Sequence, residues 1–315
     1  MYKISIIIVN YNCEEWLDKL FDSIKSQTYK NFEIIVIDND STDNSVALIE
    51  KDYQDVKLYR SENVGFGNAV NVASQYATGE FLLILNTDCY LEDNFLQQIV
   101  NEYENIPDKD TFGTLGTISY DYDKQLRYKG FYYGGTIDIM TIGCYAKNDE
   151  KIIFNCGSPL LIRKEVYLKV GGFCPNIFLY NEDVDLGLRL TLYGYKHYFC
   201  DSTQIYHYVG AATGEYSPQK LEWYLVGELN TILNNFGILL FISLPVHTGF
   251  FIALLLFYLF SGKLKFVKAI LRGYGNIFTH FGEILRFRRI VQDNRKISDF
   301  GIMKRMHYGL GRLGI

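Results

Sequence analysis

The chain has 315 residues, of which 48% are hydrophobic and 21% are charged. This length suffices for one large α/β domain with an appendage or for two domains, and the content of only five prolines argues against long disordered linkers. The six cysteines include no Cys-x-x-Cys pair, which excludes the common zinc motifs and a disulfide framework.

Charge is unevenly distributed along the chain. The net charge is −5, but residues 263–315 contain 12 Lys and Arg against 3 Asp and Glu, a balance of +9, so the remainder has a balance of −14. A basic segment on an acidic body indicates contact with nucleic acid or with an anionic membrane surface. The N-terminus, MYKISIIIVNYN, is a strand pattern without the features of a signal peptide, which predicts a cytosolic, reduced protein body.

The first hundred residues alternate between strand and helix patterns. This alternation predicts an α/β fold, with an open, mostly parallel sheet and helices on both faces. In such a sheet a ligand binds beyond the carboxyl ends of the strands, which is where Asn10, Asp38, Asn63 and Asp88 fall. Strands are predicted at residues 4–9, 32–38, 57–60 and 80–85, and helices at 14–26, about 41–50 and 68–76.

The middle of the chain has weaker patterns. Residues 105–155 are rich in Tyr, Gly and Asp and are predicted to be irregular, whereas the apolar segment 152–163 restarts regular structure. Residues 181–193 predict a helix whose first turn is acidic, which suits its dipole. Two short strands are predicted at 196–200 and 204–207.

A long uncharged segment follows, since residues 229–262 contain no Asp, Glu, Lys or Arg. Its core at 236–260 is long enough to cross a bilayer, but Pro245 and His247 divide it. We expect a kinked or re-entrant hairpin in one leaflet; a single span and a buried core helix are the alternatives. The basic residues that follow fit the positive-inside rule and favour a membrane over nucleic acid.

The basic tail also has an amphipathic pattern. Ile277, Ile284 and Val291 fall on one helical face together with Phe278, Phe281 and Leu285, whereas Arg286, Arg289 and Arg295 fall towards the other. This pattern predicts an interfacial helix, so residues 229–296 are expected to contact the membrane surface.

Seven short segments follow one another along the chain: VNYN (9–12), IDNDSTD (37–43), ENVGFGNAVN (62–71), ATGEFLLILNTD (77–88), VGGF (170–173), NEDVDLGLRL (181–190) and IYHYVG (205–210). In this order they resemble the family 2 glycosyltransferases, which are inverting enzymes of the GT-A fold that use nucleotide sugars. The resemblance covers roughly residues 3–210 and points to the rhamnosyltransferase-like branch. It implies a Rossmann-like GT-A catalytic domain at 1–215, with a nucleotide-sugar half at about 1–100 and an acceptor half at about 101–215. The uncharged and basic segments place the predicted membrane-association region at 216–315.

Several residues of the first hundred have properties that suit donor binding. Asp38 ends a buried strand, where an unpaired carboxylate is costly, so it needs either a ligand or a neighbouring loop as partner. Gly65 and Gly67 allow a ligand to approach the backbone before a helix N-terminus. The resemblance implies donor binding by Asn10, Tyr11, Asp38, Asn39, Asn63, Gly65, Phe66, Gly67, Asn71, Asn86, Thr87 and Asp88.

The metal and the catalytic base are predicted from two further segments. Asp88 follows an apolar strand and is a hard oxygen ligand suited to Mg²⁺ or Mn²⁺, although Asn86 stands where many such sites have a first acid. The resemblance implies that His207 is a second ligand and that Asp183 is the general base. Glu182, Gly157 and Ser158 are the predicted acceptor-binding residues.

The predicted activity is metal-dependent, inverting transfer of L-rhamnose from dTDP-L-rhamnose to a polyprenyl-diphosphate-linked glycan. It would serve cell-surface polysaccharide synthesis at the cytoplasmic face of the membrane. A UDP-hexose or UDP-galactofuranose donor is the alternative, and a non-catalytic nucleotide-sugar or membrane-binding module is a weaker one. A nicotinamide-dependent oxidoreductase is disfavoured because the first strand lacks a G-x-G-x-x-G turn.

Overall fold

The computed structural model describes residues 1–122, 128–132, 135–145, 151–208 and 217–308. The chain divides into two compact units: residues 1–134, 155–172 and 196–214 form the first, and residues 135–154, 173–195 and 215–315 form the second. The second unit therefore combines the C-terminal region with two segments from the middle of the chain. The functional division at residue 215 stays a prediction.

The secondary structure begins with the predicted alternation of strands and helices. The described strands are β1 (Ile4–Asn10), β2 (Phe32–Asn39), β3 (Lys57–Ser61), β4 (Phe81–Asn86), β5 (Cys89–Leu91), β6 (Phe112–Tyr122), β7 (Tyr128–Tyr132), β8 (Gly135–Ile137), β9 (Gly143–Tyr145), β10 (Leu160–Arg163) and β11 (Lys196–Tyr208). The described helices are α1 (Glu14–Lys25), α2 (Ser45–Asp52), α3 (Phe66–Tyr76), α4 (Phe95–Asn105), α5 (Lys164–Lys169), α6 (Glu182–Leu192), α7 (Pro218–Asn235), α8 (Leu240–Phe260), α9 (Leu264–Thr279), α10 (Phe281–Asp293) and α11 (Asp299–Met303).

The first unit is built around one mixed sheet with the strand order β3-β2-β1-β4-β10-β6-β11-β5, and β7 pairs with β6. Strands β1 to β4 are parallel, β10 runs antiparallel to both β4 and β6, and β11 is parallel to β6. Strand β1 is buried along its whole length, as a continuous apolar run at the centre of such a sheet requires. The α/β prediction is confirmed for this unit.

Two predictions for the middle of the chain were wrong. The segment predicted to be irregular contains the 11-residue strand β6, because β10 and β11 pair with its two edges. The two short strands predicted at 196–200 and 204–207 form one strand, β11, whose register shifts between Cys200 and Gln204. In both places pairing with distant strands decides the structure and overrides the local pattern.

The second unit consists mainly of helices α6 to α11, with the small β8–β9 sheet. Its apolar core joins α7 to α8, α9 and α10 through buried side chains. These are Leu221, Leu225, Val226, Leu229, Phe251, Tyr258, Ile270, Ile277 and Ile284. The end of α7, residues 229–235, is largely buried, so these residues, which the sequence predicted to contact the membrane, are covered by protein.

Helix α8 is uninterrupted, and the predicted hairpin was wrong. Pro245 lies inside α8, as its sixth residue, and does not end the helix. Within the described residues α8 is one helix with the length and composition to cross a membrane, and 17% of its most apolar stretch is buried. The predicted amphipathic face of the tail is divided, because Ile277, Ile284 and Val291 are buried whereas Phe278, Phe281 and Leu285 are exposed.

Glu33 of β2 links three parts of the first unit and makes its stability depend on pH. Its carboxylate accepts hydrogen bonds from Ser5 Oγ at 2.6 Å, Thr78 N at 2.7 Å and Lys57 Nζ at 2.7 Å. Burial alone would raise the pKa of Glu33, but these bonds outweigh burial and lower the pKa to about 2. The carboxylate therefore stabilises the fold above its unfolded pKa of 4.5, and this contribution is lost as the pH falls towards 2.

We expect Glu33→Gln to lower the free energy of unfolding by about 2 kcal/mol at pH 7 and by roughly half as much at pH 3. Urea denaturation at both pH values measures the difference. The matched control is Glu50→Gln, because Glu50 forms an exposed ion pair with Arg60 and should change stability by less than ~1 kcal/mol at either pH. An equal loss at both pH values would contradict the role of the ionised Glu33.

Candidate active site

The ends of β1 and β2 form a connected polar edge in the first unit. Asn10 and Asp38 are neighbours in register, and Asn10 Nδ2 donates to Asp38 Oδ1 at 2.8 Å and to Ser45 Oγ at 2.8 Å. Asp38 Oδ2 also accepts from Ser41 N at 3.2 Å. The buried carboxylate thus has protein partners, so burial cost alone does not demand a ligand there. Tyr11 is 37% exposed beside them, which leaves part of its ring accessible.

The loop before α3 is organised by two asparagines. Asn39 Nδ2 donates to Asn63 Oδ1 at 3.0 Å, and Asn39 Oδ1 accepts from Val64 N at 3.1 Å. Gly65 has a φ of 84°, a conformation that glycine adopts without strain, and Phe66 and Gly67 then begin α3. Asn39 and Asn63 therefore shape the loop that the sequence predicts to bind the donor.

Asn71 lies farther along α3 and has a different environment. Its Oδ1 accepts a hydrogen bond from Tyr167 Oη at 2.6 Å, and a Cβ on Gly172 would come within 2.2 Å of the same oxygen. Asn71 thus joins α3 to the segment around α5. Its predicted contact with the donor stays a prediction.

The turn after β4 and the end of β11 bring Asp88 and His207 together. His207 pairs in register with Cys89 on β5 and with Asp121 on β6. His207 Nε2 lies 3.1 Å from Asp88 Oδ1, and its Nδ1 lies 3.4 Å from Asp121 Oδ1. Asn86 Nδ2 lies 3.3 Å from His207 Nε2. Thr87, between Asn86 and Asp88 in the chain, is buried.

These contacts control the charge of His207. Burial alone would lower the pKa of the imidazole, but the carboxylates of Asp88 and Asp121 raise it to about 10. Without a metal the site therefore holds a positive imidazolium between two carboxylates. A bound divalent cation would take the place of that proton, because a histidine ligand must be neutral.

The residues present fit a divalent cation that keeps open coordination positions. Asp88 Oδ1 and His207 Nε2 lie 3.1 Å apart, so one cation can contact both, and carboxylate oxygen and imidazole nitrogen are ligand types that Mn²⁺ accepts. Within the described ranges there is no group of three or more His, Cys, Asp or Glu side chains arranged to enclose a metal. Asp88 and His207 would thus be the protein ligands, and phosphate and water oxygens would complete the shell.

Asp121 is a site residue that the sequence analysis missed. It lies at the end of β6, in the segment predicted to be irregular, and also accepts a hydrogen bond from Ser119 Oγ at 2.8 Å. A carboxylate on the second nitrogen of a histidine fixes its tautomer and ring orientation. The contact between Asp121 and His207 depends on the pairing of β6 with β11, and no local sequence motif predicts it.

Glu182 and Asp183 begin α6 in the second unit. Glu182 is only 8% exposed, and its Oε2 has no hydrogen-bond partner among the described residues. Burial, and then the charge of Asp183, raise the pKa of Glu182 to about 8. At neutral pH Glu182 is therefore mainly protonated beside Asp183, and the two acids differ in chemical character.

The other predicted acceptor-side residues lie in the first unit. Ser158 Oγ accepts a hydrogen bond from Asn86 N at 2.8 Å, which ties the segment of Gly157 and Ser158 to the turn that carries Asp88. Asp185, interpreted as structural from its sequence, is fully buried and pairs with Arg189 Nη2 at 2.6 Å in the second unit.

Comparison with protein families gives one match that covers more than half of the chain. Residues 5–171 match the model of Glycosyl transferase family 2. Among curated relatives, the chain is 30% identical over 136 residues to Glycosyltransferase GlyG of Streptococcus pneumoniae, covering 42% of this chain and 44% of that protein. It therefore spans less than half the length of this relative.

A second relative is matched over more of its length. The chain is 23% identical over 239 residues to an N-acetylglucosaminyl-diphospho-decaprenol L-rhamnosyltransferase of Mycobacterium tuberculosis, covering 66% of this chain and 77% of that protein. At this identity the named activity is that of the relative.

Two solved structures are similar in fold. The structure of GalNAc-T7 with UDP, GalNAc and Mn²⁺ aligns with a TM-score of 0.61 at 17% identity, covering 74% of this chain and 48% of that one. The mannosyltransferase PcManGT from Pyrobaculum calidifontis, with GDP-Man and Mn²⁺, aligns with a TM-score of 0.55 at 15% identity, covering 93% and 86%. The predicted GT-A fold is thereby confirmed.

Proposed function

The chain belongs to glycosyl transferase family 2, and we propose that it is a metal-dependent, inverting glycosyltransferase. The observation that carries the proposal is the pairing of Asp88 with His207 at 3.1 Å, beside the polar ends of the parallel strands. Ligands bind at such strand ends in open α/β sheets. An Asp–His pair with open coordination positions suits a cation that also binds a diphosphate.

In the proposed reaction, an acceptor hydroxyl oxygen attacks the anomeric carbon of the donor as the bond from that carbon to the diphosphate oxygen breaks. Asp183 accepts the hydroxyl proton, and the nucleoside diphosphate leaves. Glu182, protonated because of its raised pKa, donates a hydrogen bond to the acceptor. Asp88 and His207 would hold Mg²⁺ or Mn²⁺, which supplies Lewis-acid stabilisation to the leaving diphosphate.

The nucleoside is proposed to bind at the polar edge formed by β1, β2 and the loop before α3. Tyr11 offers a partly exposed ring that can stack on a base, and Asn10, Asp38, Asn39 and Asn63 form an organised hydrogen-bonded wall. Because these groups already bond one another, they are preorganised and lose little freedom when a ligand binds.

We favour dTDP-L-rhamnose as donor and a polyprenyl-diphosphate-linked glycan as acceptor. Support comes from the resemblance to the rhamnosyltransferase-like branch and from the activity of the mycobacterial relative, an L-rhamnosyltransferase that acts on a decaprenol-linked sugar diphosphate. Incubation of the protein with a panel of nucleotide sugars and a short-chain prenyl-diphosphate sugar tests this choice. Release of dTDP from dTDP-L-rhamnose is expected, whereas release of UDP from a UDP-hexose or UDP-galactofuranose would select the alternative donor. No release from any donor would favour a non-catalytic binding module.

The acceptor proposal implies contact with a membrane, and α8 offers the surface for it. Ser243, His247, Phe251 and Tyr258 lie on one side of α8 and are buried in the second unit, so protein covers that side along most of the helix. The other side exposes large apolar groups, with Phe257 57% and Phe260 85% exposed. Residues 240–293 also contain seven Lys and Arg against two Asp and Glu, which suits an anionic surface.

We therefore propose that α8 lies along the cytoplasmic leaflet with its outer side in lipid, and does not cross the bilayer. A helix whose inner side is packed on α7 and α9 cannot be surrounded by lipid unless those helices, with the Arg272–Glu222 ion pair, enter the bilayer too. An interfacial position avoids the free-energy cost of moving the charged Arg272 and Glu222 into the bilayer.

The double variant Phe257→Glu/Phe260→Glu is expected to lower binding to anionic lipid vesicles at least tenfold. Each buried phenylalanine contributes about 1.5–3 kcal/mol, and a factor of ten corresponds to about 1.4 kcal/mol. Vesicle flotation measures the bound fraction, and Leu168→Glu, at an exposed apolar position on α5 of the first unit, is the matched control. Unchanged flotation of the double variant would contradict lipid binding by the outer side of α8.

Point variants are preferable to truncation because the second unit also includes residues 135–154 and 173–195.

A further inference from the structure

The two residues before the acid pair have an unusual backbone. Tyr180 has a φ of 68° and Asn181 a φ of 71°, so two consecutive residues other than glycine adopt the left-handed conformation. Such a conformation is disfavoured for residues with a side chain and persists only where the surrounding structure holds it. This strained pair sets the direction in which α6 starts, and with it the positions of Glu182 and Asp183.

Helix α7 supplies contacts that hold this backbone. A Cβ on Gly227 would lie 2.3 Å from the carbonyl oxygen of Tyr180 and 2.9 Å from Cβ of Asn181, so only glycine allows this approach. Thr231 Oγ1 accepts a hydrogen bond from Asn181 Nδ2 at 2.8 Å and donates one to the carbonyl of Gly227 at 3.0 Å. The ring of Tyr224 stacks on that of Tyr180, with centroids 4.2 Å apart.

A second connection fixes the next turn of α6 to the same helix. Asn235 Nδ2 donates to Asp185 Oδ1 at 2.7 Å, and Asp185 also pairs with Arg189. The first two turns of α6 are therefore attached to α7 on both sides of Asp183, at Asn181 and at Asp185. Side chains held in this way at two points have little freedom to reorient.

We infer that α7, the first helix of the C-terminal region, positions the Glu182–Asp183 pair for catalysis; the inference rests on the proposed role of Asp183 as general base. Gly227 and Thr231 are its positioning residues. The C-terminal region then has a second role besides the proposed membrane contact, because α7 supplies the contacts of Gly227 and Thr231 with Tyr180 and Asn181.

Two pairs of variants in the full chain test the inference. Gly227→Ala introduces the 2.3 Å contact with Tyr180, whereas Gly275→Ala on α9 places the same methyl group where no atom lies within 4 Å. Thr231→Val keeps the volume but removes both hydrogen bonds, whereas Thr231→Ser keeps both. The second pair matters because Gly227→Ala could also lower the yield of folded protein.

The measurements are kcat for transfer, the Kd of the donor nucleotide, Tm, and amide hydrogen exchange at residues 180–185. Gly227→Ala and Thr231→Val are expected to lower kcat at least tenfold and to speed exchange at 180–185. The donor Kd should stay within twofold, since Asn10, Asp38 and Asp88 belong to the first unit. Thr231→Ser should recover most of the rate that Thr231→Val loses, and Gly275→Ala should keep kcat within twofold.

Normal kcat and normal exchange in folded Thr231→Val would overturn the inference. Losses of kcat and donor affinity in proportion to a fall in Tm would also overturn it, because they would indicate general destabilisation. Asp183→Asn separates this outcome from failure of the proposed function. Normal transfer by Asp183→Asn refutes the base assignment, whereas inactive Asp183→Asn together with fully active Gly227→Ala and Thr231→Val refutes only the positioning role.

Discussion

Replacement of Asp183 by asparagine is expected to lower the rate of sugar transfer by roughly 10²- to 10⁴-fold, the usual contribution of a general base. The amide keeps the size and shape of the side chain but cannot accept the proton of the acceptor hydroxyl. Asp183 Oδ1 accepts a hydrogen bond from Val184 N at 2.8 Å, and the amide oxygen of asparagine can accept the same bond, so the free energy of unfolding should change little. Initial rates of nucleoside diphosphate release, with acceptor present, measure the effect.

The neighbouring acid Asp185 gives the contrasting result. Asp185 is fully buried and pairs with Arg189 and Asn235, so Asp185→Asn should destabilise the protein by about 3–5 kcal/mol. Asp183→Asn and Asp185→Asn make the same chemical change at two positions of α6. Asp183→Asn should remove activity, whereas Asp185→Asn should lower the stability of the fold. Full activity of Asp183→Asn would show that another group accepts the proton, and Glu182 would then be the next residue to replace.

Replacement of Asp88 by asparagine is expected to have the second large effect, a loss of Mn²⁺ binding together with a loss of transfer. The substitution removes the negatively charged oxygen ligand, and a neutral amide oxygen binds a divalent cation more weakly. Electron paramagnetic resonance titration of Mn²⁺ in the presence of a nucleoside diphosphate measures affinity without relying on activity.

Asp121→Asn should have a smaller effect on Mn²⁺ binding at the same site. Asp121 contacts His207 Nδ1 and lies on the side of the ring away from Asp88, so its replacement should weaken Mn²⁺ binding by about 10- to 100-fold. Exposed Asp293→Asn on α10 should leave affinity unchanged. Equal Mn²⁺ affinity in the wild type and in Asp88→Asn would rule out Asp88 as a ligand.

The parts of the fold that sequence predicts well are those whose pattern is local. Strands β1, β2 and β4 are continuous apolar runs, and α6 has a clear composition and length, so each is visible without its neighbours. Strand β6 has the sequence FGTLGTISYDY, in which glycine and threonine interrupt the apolar pattern. Its structure depends on β10 and β11, which are remote in sequence.

The same distinction applies to the candidate site. Asp88 is visible because it ends an apolar strand, and His207 was identified by resemblance, but the link to Asp121 exists only through the pairing of β6 with β11. The left-handed conformation of Tyr180 has no sequence signal, since tyrosine does not favour it. Asn230, Asn234 and Asn235 belong to an uncharged segment that suggests a membrane, yet they are buried in the second unit.

The most direct test of the central claim is the rate of nucleoside diphosphate release by the full chain, with donor and acceptor, before and after removal of divalent cations by a chelator. We expect release to stop on chelation, to return when Mn²⁺ or Mg²⁺ is added back, and to stay absent in Asp88→Asn under all three conditions. Release that continues at the same rate in the chelated wild-type protein, or that Mn²⁺ restores fully in Asp88→Asn, would contradict metal-dependent transfer at the Asp88–His207 site.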